Sequence, residues 1–386
     1  MIRPRGVGRL RAGHPWVYRS DLDAEPGTPA GLVALADERG RPLGTALYSP
    51  HSEIRVRWLA PPDRAVDASW WRAMVSAALA RRADIADTGH RVVHAEADGL
   101  PSLIVDRYGE FAVAQLLSAG IEAVRDDVIG AVRSVMAPRG LLLRNDPPVR
   151  EREHLERTTE LAFGEVPERA PYSEGGLTLV AQPWTGQKTG AFLDQRENHV
   201  RLGTLGSGAR CLDLFCYQGG FALHLANGGA REVIAVDSSA DALEALRETA
   251  RSRGIGGITT VEANAFDWMR GAADAGEKFD VIVVDPPAFA KDRRSLARAL
   301  AAYKELNLRA MQCLTDRGWL FTASCSHHVD RGSFFGMLAE AARDAKQRMQ
   351  LVEIRGAARC HPELVTVPET GYLKAALLRK LGGSPI

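Results

Sequence analysis

No stretch of this sequence approaches the run of roughly 18 apolar residues that a membrane helix requires, so a soluble protein is expected. The first twenty residues, MIRPRGVGRLRAGHPWVYRS, lack the continuous apolar segment and small-residue cleavage site of a secretory signal, so a cytoplasmic location is expected. Cysteine is scarce: the five, at positions 211, 216, 313, 325 and 360, form an odd set without CxxC spacing. That pattern argues against both a disulfide framework and a structural zinc site, so free thiols and no metal are expected. Charge of one sign is also lacking. With 49 Lys+Arg against 48 Asp+Glu the net charge is +1, and any basic surface for nucleic acid must be local. The N-terminal segment is one such place, because no acidic residue precedes Asp21 and Gly6, Gly8 and Gly13 interleave with arginines as in a turn-rich basic loop.

A length of 386 residues suits two or three domains. Residues 1–66 read as a small β-domain, in which LVALADERG, PLGTALYSP and SEIRVRWLA alternate or cluster apolar residues between Gly/Pro punctuation. Beyond the Ala60-Pro61-Pro62-Asp63 linker, SWWRAMVSAALARRADI has helical spacing and opens a central α+β module over 67–176. From 177 to 386 apolar β-runs alternate with helices: RCLDLF, EVIAVD, ITTVEAN, FDVIVVD and GWLFTAS are the strands of a mostly parallel, Rossmann-like α/β sheet. After the second run, Ser238 and Asp241 stand in capping-box spacing and Gly254 marks a stop. Ligands of such sheets bind beyond the carboxyl ends of the strands, so the residues that follow each strand carry the functional weight.

The first such turn, Asp213-Leu-Phe215-Cys-Tyr217-Gln-Gly219-Gly220, joins a strand to a helix with glycines that admit a ligand close to the backbone. About two dozen residues on, Asp237 ends the next strand, where a carboxylate can accept both hydroxyls of a ribose. A dinucleotide site wants G-x-G-x-x-G, but Phe215 and Tyr217 occupy the early glycine places, which speaks against a pyrophosphate. The fourth strand then ends in Asp285-Pro286-Pro287-Ala288-Phe289, a placement typical of nucleic-acid base methyltransferases.

At these residues the sequence resembles the bacterial family of large-subunit rRNA 5-methylcytosine methyltransferases. The likeness rests on GHPWVYRSDL, DGLPSLIVDRYG, KTGAFLDQREN, DLFCYQGGFALHLA, VDPPAFAK, SCSHH and HPELVTVPETGYLK, and so spans nearly the whole chain. The resemblance implies a PUA-like RNA-binding domain at the N-terminus, a central module and a C-terminal class I methyltransferase domain. It implies S-adenosylmethionine as cofactor, with Asp213, Phe215, Tyr217 and Gly219 along the methionine side and Asp237 on the ribose. Asn264 stands where the family commonly has an acidic residue near the adenine. Thr189, Phe192, Asp194, Gln195 and Arg196 belong to the KTGAFLDQR motif, expected to cover the cofactor and substrate mouth. The partner implied is large-subunit ribosomal RNA, with no membrane and with a homodimer as one assembly open to the chain.

Carbon-5 of a pyrimidine is a poor nucleophile, and adding a thiolate at carbon-6 gives it enamine character. Cys325, in the polar sequence TASCSHH after the fifth strand, matches the family's nucleophile; Cys211 within a strand and Cys313 in AMQCL read as core thiols, and Cys216 ranks below Cys325. Asp285 is placed to bond the ring nitrogen and amino group of the cytosine and to stabilise the charge that develops after attack. For removal of the carbon-5 proton Asp285 and water are the candidates, with His327 and His328 equally readable as capping or RNA-contacting residues. Pro286-Pro287-Ala288 carries no second cysteine, so a two-cysteine mechanism is not supported. Lys291, Arg293 and Arg294 are candidate phosphate contacts. Two competing readings stand beside this one. Methylation of an exocyclic amine needs an Asp-Pro-Pro motif and no cysteine, and Cys325→Ala separates the two. A non-catalytic RNA-binding protein retaining the cofactor fold is separated by cofactor turnover on RNA.

Overall fold

Proline at the first helical position sets the first element, helix α1 (Pro4–Arg11), because its fixed φ suits a helix start and its missing N–H has no partner to lose there. The segment expected as a basic loop is therefore helical. Gly6 lies within it because a Cβ at that position would stand 2.6 Å from Ile2 Cγ2. The arginines of the segment are largely neutralised, Arg3 by Asp23 at 3.2 Å, Arg5 by Asp21 at 3.5 Å and Arg9 by the same Asp21 carboxylate. The computed structural model describes residues 1–24, 27–290 and 294–382.

Strands β1 (Trp16–Tyr18), β2 (Gly31–Ala36), β3 (Pro42–Tyr48) and β4 (Ile54–Ala60) form an antiparallel sheet in the order β1-β4-β3-β2. The last three lie where the alternation of apolar residues predicts them. Helix α2 (Ala68–Ala80) begins at Asp67, whose carboxylate accepts the Ser69 and Trp70 N–H groups, and it buries Trp70, Trp71, Val75 and Ala78. These side chains cover a second sheet of β5 (Gly89–His94), β6 (Leu103–Tyr108), β7 (Phe111–Leu116), β8 (Gly140–Asn145) and β9 (Thr158–Gly164), in sequence order, with α3 (Ala119–Glu122) and α4 (Arg125–Met136) between β7 and β8 and α5 (Val149–Arg152) between β8 and β9. A hairpin of β10 (Ala170–Glu174) and β11 (Leu177–Ala181) follows, so the domain boundary expected between 176 and 177 falls in its turn.

The chain divides into two compact units, one of Met1–Leu193 with Cys360–Gly371, the other of Asp194–Arg359 with residues 372 onward. In the second, α6 (Arg196–Gly203) precedes β12 (Arg210–Leu214), α7 (Gly220–Asn227), β13 (Glu232–Asp237), α8 (Ala240–Ser252), β14 (Ile258–Glu262), α9 (Ala265–Asp274), β15 (Phe279–Val284), α10 (Leu296–Gln312), β16 (Leu314–Ser324), α11 (Arg331–Asp344), β17 (Met349–Arg355) and β18 (Lys374–Lys380). The sheet order is β14-β13-β12-β15-β16-β18-β17, with the first five strands parallel and β18 antiparallel to both neighbours. This is the class I methyltransferase arrangement. Leu212, Leu214, Ile282, Val284 and Leu320 belong to its core together with Tyr303, Leu306 and Phe334 from the flanking helices. The cap of α8 is Ser239, accepting the Ala242 N–H at 3.3 Å, and not the expected Ser238; Ala242 at the third helical position leaves no capping box. The strand order reverses between β12 and β15, which opens a crevice at their carboxyl ends. Among the described residues no helix is long and apolar enough to cross a membrane.

Candidate active site

Asp213, next to last in β12, is buried. Its Oδ2 accepts the Ala222 N–H of α7 at 2.9 Å, while Oδ1 is buried without a hydrogen-bond partner. Burial pushes this carboxyl well above the ordinary range; the Ala222 N–H opposes that, and the negative charges of Asp285 and Asp237 add to it. The turn that follows is unusual backbone. Phe215 and Tyr217 hold φ of 62° and 49°, in the left-handed region that side chains rarely adopt, and such strain is kept where a site needs a particular backbone shape. Gly219, at φ 80°, caps α7, and a Cβ there would stand 2.2 Å from Leu246 Cδ1 of α8, so only glycine fits.

Asp237 closes the other side of this turn. Its Oδ2 accepts the Tyr217 N–H at 2.8 Å and its Oδ1 the Ser239 N–H at 2.9 Å, so one half-buried carboxylate ties the glycine turn to the start of α8. Asn264 is the exposed N-cap of α9, with Oδ1 taking the Phe266 N–H at 2.9 Å and the Asp267 N–H at 3.3 Å. With the oxygen so used, the end of Asn264 left to meet a ligand is a donor. Phe215, Phe266 and Phe289 form an aromatic cluster with centroids 5.6–6.5 Å apart, and Phe289 lies 4.7 Å from Tyr303.

Asp285 leaves the end of β15. Gln195 Nε2 donates to its Oδ2 at 2.8 Å, Asn198 Nδ2 donates to Gln195 Oε1 at 2.6 Å, and Arg355 Nε donates to Asn198 Oδ1 at 2.6 Å. The pairing of Val284 with Thr322 brings Asp285 and Cys325 out on the same rim from neighbouring strands. Cys325 is half-buried, whereas the other four free thiols are buried. Burial pushes the Cys211 thiol up to about 12 and the Cys313 thiol to about 11, and it pushes Cys216 well above the usual range, with Asp213 and Asp237 adding to that. None of these three is suited to be a thiolate at neutral pH.

The loop that carries Cys325 is pinned beside it. Tyr303 Oη and Ser326 Oγ are 2.9 Å apart, Ser326 Oγ accepts the Ala290 N–H at 3.2 Å, and the buried Lys374 Nζ donates to the carbonyls of Ser326 and Tyr372, each at 2.7 Å. Tyr372 Oη donates to Asp194 Oδ2 at 2.7 Å. Asn198, Tyr303, Ser326, Arg355 and Lys374 are thus site residues to which the sequence reading assigns no role; Asn198, Ser326 and Lys374 lie in the KTGAFLDQREN, SCSHH and GYLK motifs, which were their only signal.

Thr189 and Phe192 belong to the N-terminal unit. There the Thr189 hydroxyl donates to Asp106 Oδ2 at 2.6 Å and accepts from Tyr108 Oη at 2.8 Å, and the residue is wholly buried. Phe192 is half-buried, with Lys188 Nζ 4.4 Å from its ring centre. His327, His328 and Arg294 are exposed; Lys291 and Arg293 lie outside the described residues.

Comparison with known proteins agrees with this geometry. A PUA-like domain family matches residues 1–61, and a family described as S-adenosylmethionine-dependent methyltransferase matches residues 147–379. Proteins named Ribosomal RNA large subunit methyltransferase I from Aeromonas hydrophila and Photobacterium profundum are each 36% identical to this chain, the first over 98% and the second over 95% of both chains. Among solved structures, a protein from Streptococcus mutans described as a SAM-dependent methyltransferase superposes with a TM-score of 0.83 at 19% identity, covering 98% of this chain and 99% of that one. A second, described as a methyltransferase complexed with SAH, superposes with 0.85 at 20% identity over the same shares, a likeness of fold. Matched over residues 147–379 and 36% identical to those relatives over nearly its whole length, the chain belongs to the S-adenosylmethionine-dependent methyltransferases.

Proposed function

We propose that this protein methylates carbon-5 of a cytosine in large-subunit ribosomal RNA, with Cys325 as covalent nucleophile. The observation that carries the reading is that Cys325 alone of the five thiols escapes burial, on the rim it shares with Asp285. The relatives named for the large ribosomal subunit RNA, and the PUA-like domain at residues 1–61, support RNA as the substrate.

The residues present fit the family's cofactor. Asp213 offers an orphaned buried carboxylate oxygen, Gly219 keeps its turn clear of a Cβ, and Asp237 retains acceptor capacity on both oxygens beyond its two backbone bonds. Asp213, Phe215, Tyr217 and Gly219 would hold the methionine portion, Asp237 the ribose and the Asn264 amide nitrogen an acceptor of the adenine. Bound there, the cofactor supplies an electrophilic methyl group. Gln195 acts on Asp285, whose carboxylate it orients. Thr189, sealed among Asp106 and Tyr108, supports its own segment, and the ring of Phe192 packs under Lys188 Nζ in the same segment.

The chemistry of the chain's own groups then runs in order. The Cys325 thiolate adds to carbon-6, the carbon-5–carbon-6 double bond opens, and its electron pair moves toward the ring nitrogen, to which a protonated Asp285 carboxyl donates its proton while accepting from the amino group, so that the developing charge is stabilised. Carbon-5 forms its new bond to the methyl group, whose bond to the cofactor's sulfur would break with its electron pair left on sulfur. Asp285 or water takes the carbon-5 proton, the double bond re-forms, and Cys325 departs as thiolate. Incubating the enzyme with methyl-labelled cofactor and ribosomal RNA from a strain lacking the gene, then digesting to nucleosides, tests this. Label in 5-methylcytidine is expected; label in an N-methylated nucleoside, or none, contradicts it.

A further inference from the structure

At the amino-terminal ends of the parallel strands, the rim opposite Asp237, Asp285 and Cys325, strand β16 is interrupted. Phe279 of β15 faces Leu314 and Val281 faces Trp319, so four residues, 315–318, oppose the single Asp280. Bulges of this kind re-aim side chains. Within it Arg317 holds φ 65°, a left-handed conformation that costs free energy in any residue with a Cβ. The strain has no use in the chemistry at the far rim.

What the bulge builds is a basic concavity. A cavity of about 800 Å³ is lined by Asp316, Arg317, Arg348, Gln350, Arg379 and Lys380. Four cations face one carboxylate, and Lys380 takes that carboxylate at 3.4 Å. Arg379 stacks on Trp319 with its guanidinium 5.0 Å from the ring centre, which fixes its direction while leaving its charge uncompensated. Arg317 and Arg348 are exposed, and among the described residues neither side chain makes an ion pair or hydrogen bond. Elsewhere in this chain arginines are commonly matched to acids, as Arg82 is to Asp98, Arg91 to Asp106 and Arg210 to Glu232 and Glu277. A protein with a net charge of only +1 therefore concentrates unmatched guanidinium groups in one hollow, the arrangement that recognises phosphate.

We propose that this cavity binds the phosphodiester backbone of the RNA substrate. The inference rests on the RNA-methyltransferase reading and adds a second contact to it. Strand β16 from Trp319 to Ser324, at about 3.3 Å per residue, separates the two rims by roughly 20 Å. An RNA that presents its base at Cys325 and a phosphate at Arg317 must therefore reach past both ends of the helix-flanked sheet, and an oligonucleotide of only a few nucleotides around the target would miss the cavity.

The test is the full-length Arg317→Ser/Arg348→Ser protein, binding a folded ribosomal RNA fragment at several salt concentrations. Each lost phosphate contact should flatten the slope of log affinity against log salt by about 0.7–0.9. Affinity for the folded RNA should fall at low salt, affinity for S-adenosylmethionine should be unchanged, and a short target oligonucleotide should be methylated equally by both proteins. Arg317→Lys/Arg348→Lys should restore most of the slope. Unchanged slope and affinity in the serine variant, with wild type binding the RNA normally, would overturn the inference alone. Wild type that neither binds nor methylates ribosomal RNA would overturn the functional reading and this inference with it.

Discussion

Gln195 Nε2 donates to Asp285 Oδ2 at 2.8 Å, and through Asn198 that contact is anchored on Arg355. A residue just ahead of α6 thus helps to orient this carboxylate at the end of its strand. Gln195→Leu should therefore lower kcat about 10-fold or more, the equivalent of a hydrogen bond to a charged group at about 1.5–3 kcal/mol, while leaving the KM for the cofactor within a few-fold. A rise in cofactor KM with unchanged kcat would assign Gln195 to the cofactor instead.

Asp213 provides a pH signature. Its folded-state carboxyl is raised, chiefly by burial, so above the ordinary value of about 3.9 the native state holds a proton that the unfolded chain has lost. Stability of the cofactor-free protein then falls as pH rises from that value toward the folded-state one. Asp213→Asn removes this dependence, so the stability difference between variant and wild type should grow with pH across that window and then level off, as read by urea unfolding at several pH values. The same variant should bind the cationic cofactor more weakly. Parallel pH profiles of the two proteins would show that Asp213 does not carry the shift.

The five parallel strands, the glycine turn from Asp213 to Gly219 and Asp237 at the end of the next strand were legible in the sequence, because buried parallel strands read as continuous apolar runs and glycine marks where backbone must turn tightly. The final antiparallel pair was not. LVEIR in β17 alternates weakly, and β18 reaches its place beside β16 only through a long excursion, residues 356–373, that no local signal announces. The N-terminal segment misled in another way: Gly6 and Gly8 look like turn residues, but Gly6 is demanded by the close approach of Ile2 within a helix. Cys325 could be singled out by its polar neighbours, whereas Lys374 and Tyr303, which pin its loop, come from distant elements; Lys374 is marked only by its motif and Tyr303 by nothing until the chain folds.

Asp237 accepts two backbone N–H groups, and the proposed cofactor placement puts the ribose on the same carboxylate. Asp237→Ala should weaken S-adenosylmethionine binding by about 1.5–3 kcal/mol, roughly 10- to 100-fold, measured by calorimetry, and should also lower Tm by loosening the turn. Undiminished affinity would remove Asp237 from the cofactor site.

Lys374, buried and bonded to the Ser326 carbonyl, places a positive charge beside the loop that carries Cys325, the proposed nucleophile. Lys374→Met should raise the pH at which the acidic limb of kcat/KM falls by on the order of one unit, since a nearby cation favours the thiolate, and Lys374→Arg should restore it. A profile that drops in height without moving along the pH axis would mean that Lys374 only holds the loop.

The most direct test traps the covalent intermediate. With 5-fluorocytosine at the target position carbon-5 has no proton to lose after methylation, so Cys325 cannot be expelled and the enzyme should accumulate as a protein–RNA adduct that survives denaturation. Peptide mapping should find the adduct on Cys325, and Cys325→Ala, folded and still binding S-adenosylmethionine, should form no adduct and transfer no methyl group. An adduct on Cys216, or full methyl transfer by Cys325→Ala, would contradict the account.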